Sequence, residues 1–182
     1  MGRKMTNYFM DQKDFYNNLN DEIKTLLVSR HHFNTWEDAK RIKEFAPNIK
    51  LQIVRKSEKM GKKNNFLLDL KLSRISIHTA NQTTFLETLS ANYPTLVFWD
   101  NNLNQIRDEQ KYLFDILIDA EILHLNPKTA ALKLNSVYND IESWWNSKKI
   151  QKARILFCNE LAYTNSDFLN IWKKEIQQEL KM

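Results

Sequence analysis

Short apolar runs rich in β-branched and aromatic residues recur at 25–31, 48–53, 73–78, 95–99 and 121–125. Between them, apolar positions return every three or four residues, which predicts helices over 11–20, 35–45, 62–72, 83–91 and 104–120. Strands alternating with helices are the pattern of βαβ units, so the expected class is α/β: a Rossmann-like three-layer αβα fold with a mostly parallel sheet of about five strands. Two boundaries carry their own signals. Pro94 suits the start of the strand Thr95-Leu-Val-Phe-Trp99, where a missing ladder donor is tolerated. Asn126-Pro127 reads as an N-cap followed by proline at the first helical position. After Pro127 the pattern is helical only. Leu132, Leu134, Val137, Ile141 and Trp144-Trp145 form one apolar stripe, and further apolar stretches follow at 155–161 and 168–180. Residues 127–182 are therefore expected to be an all-helical tail packed on the sheet, with its aromatics as core residues. No repeat and no Pro/Gly/Ser linker divides the chain, so 1–182 is expected to be one domain.

Composition narrows the picture. The chain has 182 residues, 42% hydrophobic and 27% charged, which excludes disorder and allows one sizeable core. Two glycines and three prolines are too few for a turn-rich β fold. The net charge of +5 is concentrated: residues 50–74 hold eight basic side chains against Glu58 and Asp69, a local +6 that leaves the remainder at −1. The basic run 55–63 reads first as a solvated loop, and otherwise as a contact for phosphate or anionic lipid. It lacks interleaved aromatics and any recognised motif, so a nucleic-acid partner is not expected. The single cysteine, Cys158, excludes an intramolecular disulfide and suits a reducing compartment. The polar start and the absence of a long apolar window give the expectation of a cytoplasmic protein, at most peripheral to the inner face of the cell membrane.

Candidate chemistry gathers in residues 73–100. A strand ends at His78, a polar loop follows through Asn81 and Gln82, and a helix opens at Thr83 or Thr84. Unpaired helix amides and two hydroxyls would then face the carboxyl edge of a parallel sheet, where open α/β folds bind ligands. Glu87, one turn on, is placed to accept hydrogen bonds from ribose hydroxyls. Thr84-Phe-Leu-Glu87 also fits S/T-x-x-E, a capping box that serves only the helix's own amides, and spacing alone leaves both readings open. Other chemistries fit less well. Gly61-Lys62-Lys63 lacks the glycine that a phosphate-binding loop needs at position 56, and four histidines with one distant cysteine make neither a metal site nor a cysteine nucleophile. His124, in an apolar strand, reads as a satisfied core or edge histidine.

The segment N-Q-T-T-F-L-E-T-L-S-A-N-Y-P-T-L-V-F-W-D, residues 81–100, resembles the signature of a family of transferases of bacterial surface carbohydrate (O-antigen) biosynthesis. The C-terminal half of that family resembles the nucleotide-sugar-binding domain of GT-B glycosyltransferases. Asn7-Tyr-Phe-Met-Asp-Gln12, Ser29-Arg30-His31-His32 with Trp36, and Pro47-Asn-Ile-Lys-Leu51 continue the resemblance in order and spacing. So do Ala120-Glu-Ile-Leu123, Trp144-Trp145-Asn146-Ser147, Ala153-Arg154 with Phe157-Cys158, and Leu169 to Trp172. The likeness covers nearly the whole chain.

The resemblance implies a partial GT-B C-terminal domain in which Thr83, Thr84 and Glu87 lie where such domains hold the phosphate and ribose of a nucleotide sugar, with Asn81 and His78 lining the same loop. Arg30 and His31 occupy a strand end that in several enzymes using cytidine-monophosphate sugars carries a His-Pro pair. Here Phe33 follows His32, so that pair is absent. The implied donor is a nucleotide sugar bound as substrate, with no metal and no separate cofactor. The family's first strand would precede Asn7 and its acceptor half is missing, so the expectation is a truncated or split transferase whose acceptor half comes from a separate polypeptide. The competing expectation is a non-catalytic Rossmann-like scaffold or partner-binding module.

Overall fold

The computed structural model describes residues 3–32, 37–54, 66–100, 102 and 104–180. In chain order the elements are α1 (Arg3–Asn17), α2 (Asp21–Leu26), β1 (Val28–His32), α3 (Asp38–Phe45), β2 (Lys50–Val54), α4 (Phe66–Lys71), β3 (Ser76–His78), α5 (Thr83–Ser90) and β4 (Thr95–Phe98). They continue with α6 (Lys111–Asp119), β5 (Leu123–His124), α7 (Pro127–Val137), α8 (Ile141–Trp145), α9 (Lys148–Leu161) and α10 (Phe168–Glu179). The class is the expected helix-rich, Rossmann-like α/β fold with parallel strands. All five expected strands form, but their ladders divide them into a two-stranded sheet, β1–β2, and a three-stranded sheet, β3–β4–β5.

The three-stranded sheet is organised by β4, whose four residues are all buried. Side chains alternate across a strand. Leu96 and Phe98 therefore pack against Phe15, Leu19, Ile23, Ala130, Ala131 and Leu134 from α1, the α1–α2 turn, α2 and α7. Val97 and Trp99 pack on the other face against Phe85, Leu89, Phe114, Leu117 and Phe157 from α5, α6 and α9. Phe15 stacks on Phe98 with centroids 4.6 Å apart, while Phe85 meets Trp99 edge-on at 5.7 Å. Covering on both faces explains why 95–99 is a continuous apolar run.

The differences from the sequence reading have local causes. α1 starts eight residues before its expected position because Phe9 packs with Ile42, Ala46 and Ile49. The first apolar run is shortened by α2, whose opening Asp21 and Glu22 suit a helix N-terminus and whose Ile23 is buried. The helix expected from Asn104 begins only at Lys111, after a 3-10 turn at Asp108–Gln110. The expected run 55–63, and positions 35–36 and 62–65 of two expected helices, lie outside the described residues. Asn126 caps α7 as expected, its Oδ1 accepting from the Lys128 N–H at 2.8 Å. In the tail, Leu134, Ile141, Trp145 and Phe157 are buried, whereas α10 has no buried residue and exposes Phe168, Leu169 and Trp172.

The S-A-N-Y-P stretch is a structural corner. Asn92 takes φ 53°, a left-handed conformation that asparagine tolerates. Its Oδ1 accepts from Trp145 Nε1 at 3.0 Å and from Gln151 Nε2 at 3.0 Å, and its carbonyl also accepts from the Trp145 indole. Asn92→Ala should cost about 2 kcal/mol, from the backbone strain plus the lost acceptor. Asn92→Gly, which removes the strain, should recover about half of that. Urea unfolding of the two variants checks this, and equal losses would show that strain contributes nothing.

Candidate functional site

The carboxyl ends of β3, β4 and β5 open between α1, the start of α5 and the start of α7. At the end of β3 the loop is tied at two points. Thr79 Oγ1 lies 3.0 Å from the Tyr8 hydroxyl of α1. The Asn81 N–H donates to Asn104 Oδ1 at 2.9 Å, and Asn104 Nδ2 donates in turn to the Asp100 carbonyl at 3.3 Å. Asn104 thus fastens the β3–α5 loop to the segment leaving β4.

Helix α5 opens with Gln82 as N-cap, in extended conformation and without a side-chain cap bond. Thr83 is the first helical residue and is exposed; Thr84, the second, is half-buried; Glu87 is exposed. The capping-box alternative needs Thr84 at the N-cap, and the helix starts too early for that. With no side-chain cap and no acidic residue in its first turn, the positive end of α5 is not neutralised locally.

His78 sits at the tip of β3 but faces α5, not the loop. Its Nε2 lies 3.0 Å from Ser76 Oγ and 3.2 Å from Thr88 Oγ1, and its ring meets Phe85 edge-on. Burial lowers its pKa to about 4, so the ring is neutral near pH 7 and offers no positive charge. Arg30 is also engaged. Its Nε donates to Asp69 Oδ2 at 3.0 Å, its guanidinium lies over the Phe66 ring, and Asp69 Oδ1 accepts from Gln52 Nε2 at 2.7 Å. This clamp joins β1, β2 and α4. His31 is paired in register with Ile53, and its side chain lies outside the described residues. The structure therefore brings Asn81, Thr83, Thr84 and Glu87 together, sets His78 beneath them, and leaves Arg30 in a separate cluster.

Sequence reasoning missed a neighbouring acidic cleft. Asp11 and Asp14 of α1, Asp100 beyond β4, and Asn126 and Lys128 at the start of α7 line a cavity of about 460 Å³. Burial, then the charges of Asp100 and Asp14, raise the Asp11 pKa. The signals were Asp100 directly after a buried strand and the Asp11–Asp14 pair one turn apart on α1. Among the described residues, no group of three or more His, Cys, Asp or Glu could hold a metal ion. A second cavity, about 660 Å³, flanks the β5 edge. There His124 is satisfied by Thr129 Oγ1 at 3.2 Å and the Glu121 carbonyl at 3.1 Å, and burial lowers its pKa. Cys158 is buried, and burial raises its pKa. No helix among the described residues is long and apolar enough to cross a membrane.

Open α/β folds of this Rossmann-like class bind their ligands outside the carboxyl ends of their strands, where the polar loops of this chain lie. This chain belongs to the LIC12162 family transferases, whose family model matches residues 1–176. No curated protein and no solved structure matches it.

The depressed His78 pKa fixes a pH dependence. An unfolded histidine titrates near 6.5, so below that pH the unfolded chain binds a proton that the fold refuses. Stability contributed by neutral His78 is complete above about pH 6.5 and falls as the pH drops towards 4. The His78 ring resonances should stay in the neutral form until close to pH 4, as read by NMR titration. Urea midpoints of His78→Gln should be less pH-dependent across that window, with the remaining slope including His124, whose shift has the same sign.

Proposed function

We propose that this chain is the nucleotide-sugar-binding domain of a GT-B-like glycosyltransferase of surface polysaccharide (O-antigen) biosynthesis. The observation that carries this reading is the start of α5. It has an exposed hydroxyl, no side-chain cap and no acidic residue in its first turn, at the carboxyl end of a parallel strand. Backbone amides and the dipole of that turn suit a phosphate. In this role the amides of 83–85 and the hydroxyls of Thr83 and Thr84 take the charge that develops on the departing nucleotide phosphate, and Glu87 accepts from the ribose. The acidic cleft beside Asp100 offers carboxylate acceptors to sugar hydroxyls. The α5 turn thus suits the phosphate of such a donor, and the cleft suits the hydroxyls of its sugar.

Isothermal titration with cytidine and uridine mono- and diphosphates tests this. Binding in the micromolar to millimolar range is expected, weakened roughly 5- to 20-fold by Thr84→Ala or Glu87→Ala for the loss of about one charge-assisted contact each. No binding at millimolar nucleotide, or binding indifferent to both substitutions, would overturn the proposal.

A partner-binding module without catalysis is the second reading. The exposed apolar residues of α10 favour it, since Leu169, Trp172 and Ile176 share one face and are 70%, 67% and 52% exposed.

A further inference from the structure

Helix α10 differs from the other long helices in what it buries. It spans Phe168–Glu179, 12 residues, and none of them is buried. The approach to it is held by polar bonds. Ser90 Oγ, at the end of α5, donates to Thr164 Oγ1 at 3.1 Å, and the Asp167 N–H donates to Asn165 Oδ1 at 2.8 Å. In the first turn, Asn170 Nδ2 donates to Asp167 Oδ1 at 2.6 Å. A helix of this length is marginal in water unless its apolar face is packed, so α10 gains most from a surface that covers it.

The apolar face is continuous. Phe168, Trp172, Ile176 and Leu180 recur every four residues with Leu169 beside them, and each is more than half exposed. At 3.6 residues per turn the five fall within about 120° of the helix surface. They present roughly 500 Å² of apolar surface, taking partial exposure into account. Two copies face to face would remove about 1,000 Å² from water, the size at which specific interfaces begin. The charges at the borders select among occupants. Lys173 flanks the stripe on one side, Glu175 and Glu179 on the other, and all three are exposed. A helix that lies on an anionic membrane is rich in Lys and Arg around its apolar face, whereas here one border is acidic. A twofold axis along the helix turns the basic border of one copy onto the acidic border of the other. An antiparallel pair would instead set like charges together.

We propose that α10 pairs in parallel with α10 of a second copy of this chain, with Trp172 and Ile176 at the centre and Lys173 of each copy beside Glu175 of the partner subunit. The interface is isologous: one stripe covers its own copy, and each charge pair occurs twice. Its area is at the low end for a specific complex, so the dimer is reversible and depends on concentration. The pairing names what covers the face on which the partner-binding reading rests, and it does not involve the α5 turn. Failure of the dimer and failure of the non-catalytic reading are seen separately, the first by sedimentation and the second by nucleotide titration.

Sedimentation equilibrium of the full chain from about 1 to 500 μM is the test, with a monomer–dimer Kd expected inside that range. Trp172→Ala should weaken the dimer at least about thirtyfold, as loss of a central aromatic does, and leave the thermal melt of the monomer unchanged. Lys173→Glu or Glu175→Lys alone should weaken it about fivefold, and the two together in one chain should restore it. A monomer at every concentration, or a dimer indifferent to Trp172→Ala, would overturn the proposal. A double variant no tighter than either single one would overturn the parallel arrangement. Vesicles of phosphatidylglycerol that bind the monomer, and lose it on Trp172→Ala, would assign the face to lipid and overturn the proposal as well.

Discussion

The two-sided burial of β4 is the constraint on which the rest of the structure depends. Leu96, Val97, Phe98 and Trp99 are at most 1% exposed, and alternate residues reach opposite helix layers. Each layer is therefore held against one central strand. α1 and α7 converge on Leu96 and Phe98; α5, α6 and α9 converge on Val97 and Trp99. Full burial of side chains of this size contributes about 1.5 to 3 kcal/mol each, so truncation in this run would loosen both layers at once. The direction of β4 also decides where polar chemistry collects. Its carboxyl end releases Asp100 into the acidic cleft and leads to Asn104, which holds the β3–α5 loop.

α5 is fixed at both ends by different means. Its start is set by the Asn81–Asn104 bond and by the extended Gln82. At its end, the Leu89 carbonyl accepts from Arg154 Nη1 at 3.0 Å, and Asn92 holds the Trp145 indole. Phe85 and Leu89 are buried between. A helix so clamped keeps its first-turn amides in one direction, which an anion-binding turn requires. The two ties at its end satisfy half-buried groups that would otherwise lack a partner, whereas the Asn81–Asn104 bond is exposed and serves to position the loop. The Trp99 Nε1, by contrast, is buried with no hydrogen-bond partner among the described residues, a cost accepted for the aromatic packing around it.

Much of this was legible in the sequence because it is local. The runs at 48–53, 73–78 and 95–99 became strands, since β-branched and aromatic clusters carry that preference in themselves. Asn126-Pro127 started α7 for the same kind of reason. What escaped the sequence reading is non-local. The early start of α1 depends on Phe9 meeting Ile42 and Ala46, and the acidic cleft depends on α1 lying beside the end of β4. At the candidate site, Thr83, Thr84 and Glu87 follow from a helix start that the sequence displays. The orientation of His78 does not: the period of two puts it on the face of Ser76, towards Thr88, and only the packed helix shows that this face is closed. Arg30 reads in sequence as a strand-end candidate for the site, and its partner Asp69 comes from a distant helix.

The two groups of candidate residues therefore sit in mechanically different halves. Asn81, Thr83, Thr84 and Glu87 belong to the three-stranded half, built on the two large clusters of buried residues. Arg30 and His31 belong to the two-stranded half, whose cluster holds Phe9, Ile42, Ala46 and Ile49. Two strands alone are marginal in water, so β1–β2 relies on α1, α3 and the Arg30–Asp69–Gln52 clamp to stay in register. In that setting the charge of Arg30 is committed to structure. Withdrawing it from Asp69 would leave a half-buried carboxylate without its partner and β1 without its tie to α4. The helix amides of α5 carry no such obligation, so the proposed anion recognition rests on the half that β4 makes rigid.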